Sequence, residues 1–163
     1  MTVELVPAGE ADKPVLENLL QFYLYDFSEI RGERLTPHGT FTYHYLDYYF
    51  LGDDREAWLI TVDGELAGFA FVRGDLAEDW NVGEFFVLRK FRRQGVATEA
   101  ARLLFTTHPG EWTLSFDHDN APAVAFWPAI ARAVAKGPVE VDDAYAHESG
   151  APSTRLRFHV ADL

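Results

Sequence analysis

Between Val82 and Leu104 the hydrophobic pattern changes period once, abruptly. Val82 to Leu88 is an apolar run of strand length, and the basic loop Arg89-Lys90-Phe91-Arg92-Arg93-Gln94-Gly95 follows at once. From Val96 onward the apolar residues Val96, Ala100, Leu103 and Leu104 fall on one face of a helix. A strand that passes into a helix through so short a loop must let the helix fold back over the sheet. An all-helical or all-β chain is thereby excluded. Just upstream, Glu56 to Val62 and Leu66 to Val72 flank Asp63-Gly64, which predicts a hairpin closed by a type I′ turn.

The remaining segments extend the same scheme. Val3 to Pro7 alternates as an opening strand, and Asp12 is placed to cap a helix with Val15, Leu16, Leu19, Leu20 and Tyr23 at helical spacing. Gly32 to Gly39 reads as a loop, and the aromatic run Phe41 to Phe50 as a short helix. Trp112 to Phe116 is a strand, Ala121 to Ala135 a helix stopped by Gly137-Pro138, and Val139 to Ala146 with Thr154 to Val160 an antiparallel pair. No repeat or linker interrupts the order, so one α+β domain with a mixed sheet is expected over residues 1–163.

Composition narrows the partners. With 14 Lys and Arg against 26 Asp and Glu, the formal charge is −12, which disfavours nucleic acid and anionic membranes, since both are bound through basic side chains. An acidic surface suits cationic guests, although solubility alone explains acidity equally well. The absence of cysteine removes disulfides, thiolate metal sites and a cysteine nucleophile, and no metal site is expected. The N-terminus has neither the basic start nor the apolar run of a signal peptide, so a cytoplasmic location is expected.

Against that acidity, Arg89, Lys90, Arg92 and Arg93 form the densest basic cluster in the chain. They sit where a helix begins, and the first N–H groups of a helix lack internal partners and carry partial positive charge. Gly95 allows positive φ and close approach of a ligand, and Ala97 keeps the next turn uncluttered. A phosphorylated ligand fits this arrangement; an ordinary strand–helix connection with solvated arginines is the alternative. Neither Gly-x-x-x-x-Gly-Lys-Ser/Thr nor Gly-x-Gly-x-x-Gly occurs after a strand, which argues against kinases, ATPases and dehydrogenases.

The run Arg92-Arg93-Gln94-Gly95-Val96-Ala97 resembles the Arg/Gln-x-x-Gly-x-Gly/Ala pyrophosphate loop of the GNAT acyl-CoA-dependent N-acetyltransferases. Glu84-Phe85-Phe86-Val87-Leu88 is similar to the fourth strand of that family, and Asn120-Ala121-Pro122-Ala123-Val124-Ala125-Phe126-Trp127 to its Asn-x-x-Ala-x-x-apolar-Tyr segment. The resemblance covers essentially the whole chain. It implies a mostly antiparallel sheet splayed between the fourth and fifth strands, acetyl-CoA as co-substrate, and direct transfer to a small-molecule amine or peptide acceptor. A GNAT-fold module that senses acyl-CoA without turnover is the second reading. Homodimers are common in the family.

Carried over residue by residue, the resemblance places the pyrophosphate on the amides of Arg93, Gln94, Gly95, Val96, Ala97 and Thr98, with Arg92 beside them. It pairs the pantetheine arm with the backbone of Phe86, Val87 and Leu88, and aims the Val87 N–H at the thioester oxygen. Asn120 would bind the pantetheine, cap the helix, or both. Trp127 stands where the family often has a tyrosine that protonates the leaving thiolate; an indole N–H is not a useful acid, and the position would instead bind the coenzyme by packing against the pantetheine or donating a weak hydrogen bond to sulfur. His118 or Tyr145 would then be the acid, or none is needed. Glu84 is the first choice as base, because a carboxylate in an apolar run is costly unless it faces a polar cleft; facing water or pairing with an arginine are its alternatives. Asp117 and His118 are weaker candidates as base. Tyr23, Tyr25, Tyr43 and Tyr45 would wall the acceptor site, and His44 belongs to a wall rather than to the chemistry; the same aromatic density also suits a core.

Overall fold

In the computed structural model, which describes residues 1–76 and 79–162, seven strands form one sheet. They are β1 (Val3–Pro7), β2 (Arg55–Val62), β3 (Glu65–Leu76), β4 (Asp79–Val87), β5 (Gly110–Asp117), β6 (Glu140–Ala146) and β7 (Pro152–Val160), in spatial order β1-β2-β3-β4-β5-β7-β6. Every pairing is antiparallel except β4 with β5. The hairpin turn has φ of +50° at Asp63 and +82° at Gly64, as a type I′ turn requires. The expected mixed α+β architecture is present.

Helix α1 (Lys13–Arg31) lies on one face of the sheet; α2 (Val96–Thr106) and α3 (Ala121–Val134) pack on the other. Alternation along β3 and β4 divides their side chains accordingly. Phe69, Phe71 and Phe86 meet Leu16, Leu19 and Leu20 of α1, while Ala70, Val72 and Val82 join the cluster of α2 and α3. Each of those fully buried leucines contributes roughly 2 kcal/mol.

Two local expectations change. Asp12 precedes α1, but its carboxylate accepts from the Gly9 N–H at 2.8 Å rather than from the helix, because a 3-10 turn at Glu10–Asp12 comes between strand and helix. The aromatic run is helical only at its end, as a 3-10 turn over Leu46–Phe50. Its start is pinned to α1 by Gln21, whose side-chain amide donates to the Phe41 carbonyl and accepts from the Phe41 N–H, both at 2.8 Å. A two-point clamp on one residue takes up both backbone groups that a helix there would need.

The feature that positions the site lies in β4. Phe71 pairs with Glu84, yet the next residue, Val72, pairs with Val82, so Gly83 is an extra residue with no partner. This is a β-bulge, and a bulge bends its strand. Before the bulge β4 pairs with β5 at Trp80–Trp112 and Asn81–Thr113; beyond it no β4–β5 pair forms. A side chain in place of Gly83 would have to displace the Tyr49 ring, since a Cβ there would lie 2.7 Å from the Tyr49 hydroxyl.

Candidate active site

The bulge opens a gap between the ends of β4 and β5, and β4 lends it backbone polar groups. The Leu88 N–H donates to the Ala67 carbonyl at 2.8 Å, toward β3. By strand alternation the polar groups of Phe85 and Val87 then face the gap. The Val87 carbonyl is taken: Arg92 Nε donates to it at 2.9 Å. What β4 offers there is the Phe85 N–H and carbonyl and the Val87 N–H.

The loop after β4 forms the second part of the site. Arg93 has φ of +63° and Gly95 of +80°, and a left-handed conformation costs a non-glycine residue roughly 1–2 kcal/mol. These turns bring the chain into α2 with no side chain capping its first turn. The earliest main-chain bond there is from Glu99 N–H to the Gly95 carbonyl at 3.1 Å, so the amides of Val96, Ala97 and Thr98 are unclaimed by the helix. Nothing lies within 4 Å of a Cβ built on Gly95. An open helix mouth with bare amides and positive φ fits a diphosphate.

The basic cluster differs from the expectation drawn from sequence. Arg89 Nη2 and Arg92 Nη2 are both held by Asp26 of α1, at 2.6 and 2.8 Å, and Lys90 by Glu65 at 2.7 Å. Gln94 turns back to donate to the Lys90 carbonyl at 2.9 Å. Among the described residues Arg93 alone of the four cations forms no ion pair, so the charge open to a phosphate comes from Arg93 and the helix amides.

On the α1 face of the sheet, Glu84 stands beside Phe86 on the bulged strand and remains only partly accessible. The Tyr23 hydroxyl lies near its carboxylate. Tyr43 and Tyr49 lie close enough for the Glu84 charge to hold both phenols in their protonated form, with burial the larger cause; Tyr49 is pushed up to about 12. Burial likewise pushes Glu84 up to about 7, opposed by the Tyr23 hydroxyl and the nearby Arg31 charge, and reinforced by Glu148 and Glu33. A carboxyl poised near neutrality can take a proton and return it.

Helix α1 delivers Tyr23, Asp26 and Arg31 from one side, because these positions recur at helical spacing. Arg31 reaches across the gap to Asp117 at the end of β5, Nε to Oδ2 at 2.8 Å and Nη2 to Oδ1 at 3.0 Å. Asp117 is 3% exposed. Burial pushes its carboxyl up, but the Arg31 hydrogen bonds and charge outweigh this and hold it below the ordinary range. That removes Asp117 as a base and makes it an anchor for α1.

Other candidates are dispersed. Tyr25 is 64% exposed and Tyr45 44% exposed; two residues beyond Tyr23 is the opposite flank of a helix, whereas Tyr45 touches Tyr43 edge-on. His118 is exposed and its Nε2 lies 2.9 Å from Thr154 Oγ1 on β7, facing away from β4. Tyr145 belongs to edge strand β6, two strands beyond β5, under the Arg155 guanidinium. Asn120 caps α3, its side-chain oxygen accepting from the Ala123 N–H at 3.3 Å. Trp127 is packed edge-on against Phe85 and Phe126, with centroids 5.2 and 4.8 Å apart. The sequence reading missed Tyr49, Arg31 and Asp26; the signal within reach was Gly83, an isolated glycine in a strand.

Residues 17–129 match the family model described as Acetyltransferase (GNAT) family. No curated protein matches the chain. Among solved structures, an acetyltransferase from Thermus thermophilus superposes with a TM-score of 0.72 at 16% identity, covering 98% of each chain. The PaiA N-acetyltransferase of Thermoplasma acidophilum in complex with coenzyme A gives 0.62 at 11% identity, over 98% of this chain and 99% of that one. The ribosomal-protein-S18-alanine N-acetyltransferase of Escherichia coli gives 0.61 at 12%, over 99% and 96%. Such identities speak to fold alone. The family match, together with a bulged β4 splayed from β5 and a bare helix mouth beside it, leads to one conclusion: this chain belongs to the GNAT acetyltransferase family.

Proposed function

We propose that the chain transfers an acetyl group from acetyl-CoA to an amine, with Glu84 as the proton acceptor. The observation that supports this best is the bulge at Gly83, since it bends β4 between the part that pairs with β5 and the part that carries Glu84 and the Val87 amide. The amides of residues 93–98 and the Arg93 side chain would hold the pyrophosphate, and the gap-facing groups of Phe85 and Val87 the pantetheine arm. Acetyl-CoA supplies an activated acetyl thioester. Glu84, with a carboxyl near 7, accepts a proton from the acceptor's ammonium; the free amine then attacks the thioester carbon while the Val87 N–H donates to the oxygen on which negative charge develops, and the C–S bond breaks as coenzyme A leaves as a thiolate that takes its proton from solvent.

The acceptor reading is an amine cation, small or at a peptide end. Glu84 together with Tyr23, Tyr43 and Tyr49 presents a carboxylate within an aromatic wall, which favours ammonium. The S18-alanine enzyme among the structural neighbours acts on a ribosomal protein's alanine, so peptides belong in the acceptor panel beside small amines. Trp127 supports a second reading, an acyl-CoA sensor, because its buried indole provides no acid for a leaving thiolate. Acetyl-CoA at millimolar concentration is expected to raise the melting temperature. Thiol release with one or more amines then establishes the enzyme, and binding without release across the panel establishes the sensor. Absence of any melting shift would overturn both.

A further inference from the structure

Asp26 is remote from the gap, yet a chain of short contacts connects it there. Its two oxygens hold Arg89 and Arg92 at 2.6 and 2.8 Å, and Arg92 in turn donates through Nε to the Val87 carbonyl at 2.9 Å. The same guanidinium lies 5.6 Å from the centroid of the Phe86 ring. Arg92 therefore bridges two elements, its Nε aimed at the backbone of β4 and its Nη2 at α1. Guanidinium is planar and its donors are fixed relative to one another, so holding Nη2 sets where Nε points.

From this we infer that Asp26 is a positioning residue: through Arg92 it fixes the Val87 backbone at the open edge of β4 and the entry to the loop that precedes α2. The inference rests on the proposed acetyl transfer at that gap. A free Arg92 would swing toward solvent, the Val87 carbonyl would lose its donor, and β4 beyond the bulge would have no lateral partner on that side. The neutral alternative is that Asp26 merely offsets charge. The two differ in sign. If Asp26 only offsets charge, removing it exposes two cations beside an anion site and acetyl-CoA binds more tightly.

The test is Asp26→Asn in the full chain, with acetyl-CoA affinity measured by calorimetry and turnover by thiol release. The expected result is weaker acetyl-CoA binding and a kcat lowered by about tenfold, the scale of a sub-ångström misplacement in a transfer site. Asp26→Glu should restore most of both, and Asp26→Asn should add little in an Arg92→Gln background. Should Asp26→Asn fail to fold, Arg92→Lys carries the same test, since an ammonium keeps the charge but cannot span both contacts. Unchanged or tighter binding with kcat intact, in a folded variant, overturns the inference. If the wild-type chain itself fails to bind acetyl-CoA, it is the proposed function that falls.

Discussion

Replacing Glu84 by Gln separates what the carboxyl costs the fold from what it does for chemistry. Burial has raised it from 4.5 to about 7, so between those values the folded chain binds a proton that the unfolded chain has released. Stability must then fall as pH rises through that window and level off above about 7. At 1.36 kcal/mol per pH unit the full penalty is about 3 kcal/mol, an upper bound for a side chain that keeps some contact with solvent. Glutamine retains an acceptor for Tyr23 and never ionises. Glu84→Gln is expected to be only slightly more stable than wild type at pH 5, and more stable by about 2.5 kcal/mol at pH 8, or roughly 5–10 °C in melting temperature. Urea titrations of both proteins at pH 5, 6, 7 and 8, with unchanged m-values, measure it. The same variant should lose about 10²-fold or more in turnover. A stability difference that is absent, or flat across pH, would show that Glu84 is solvated and ionises normally, and would refute the argument that it is poised as a base.

Other perturbations test the remaining parts. Gly95→Glu places bulk and negative charge at a φ of +80° in the helix mouth; calorimetry should find no acetyl-CoA binding, while the melting temperature falls only by the strain of about 1 kcal/mol. Gly68→Ala would set a Cβ 2.0 Å from the Phe86 carbonyl oxygen. It should cost about 3 kcal/mol by denaturant titration and weaken acetyl-CoA binding, because β4 must move. Arg31→Ala strands the buried Asp117 carboxylate with only a 3.5 Å contact from Ser153 Oγ and should cost about 3 kcal/mol at pH 7. Since Asp117 is held below its ordinary range, the pair stabilises above that range and loses its effect as pH falls. The gap between variant and wild type should therefore narrow toward pH 3.

The sequence by itself determined the order of strands and helices, the Asp63-Gly64 turn, and the passage from β4 through Gly95 into α2. Each depends on a local period or a single backbone preference, and those act between residues a few positions apart. Glu84 was legible for a related reason: a carboxylate in an apolar run is costly wherever the run packs. Only the tertiary structure decided which groups surround it. Arg31 and Asp117 are 86 residues apart and Asp26 and Arg92 are 66 apart, so no spacing rule joins them. The basic loop shows the difference most clearly. In sequence it is four cations free for a phosphate; in the fold three are held by carboxylates from α1 and β3, because charge is written along a chain while its partners are chosen through space.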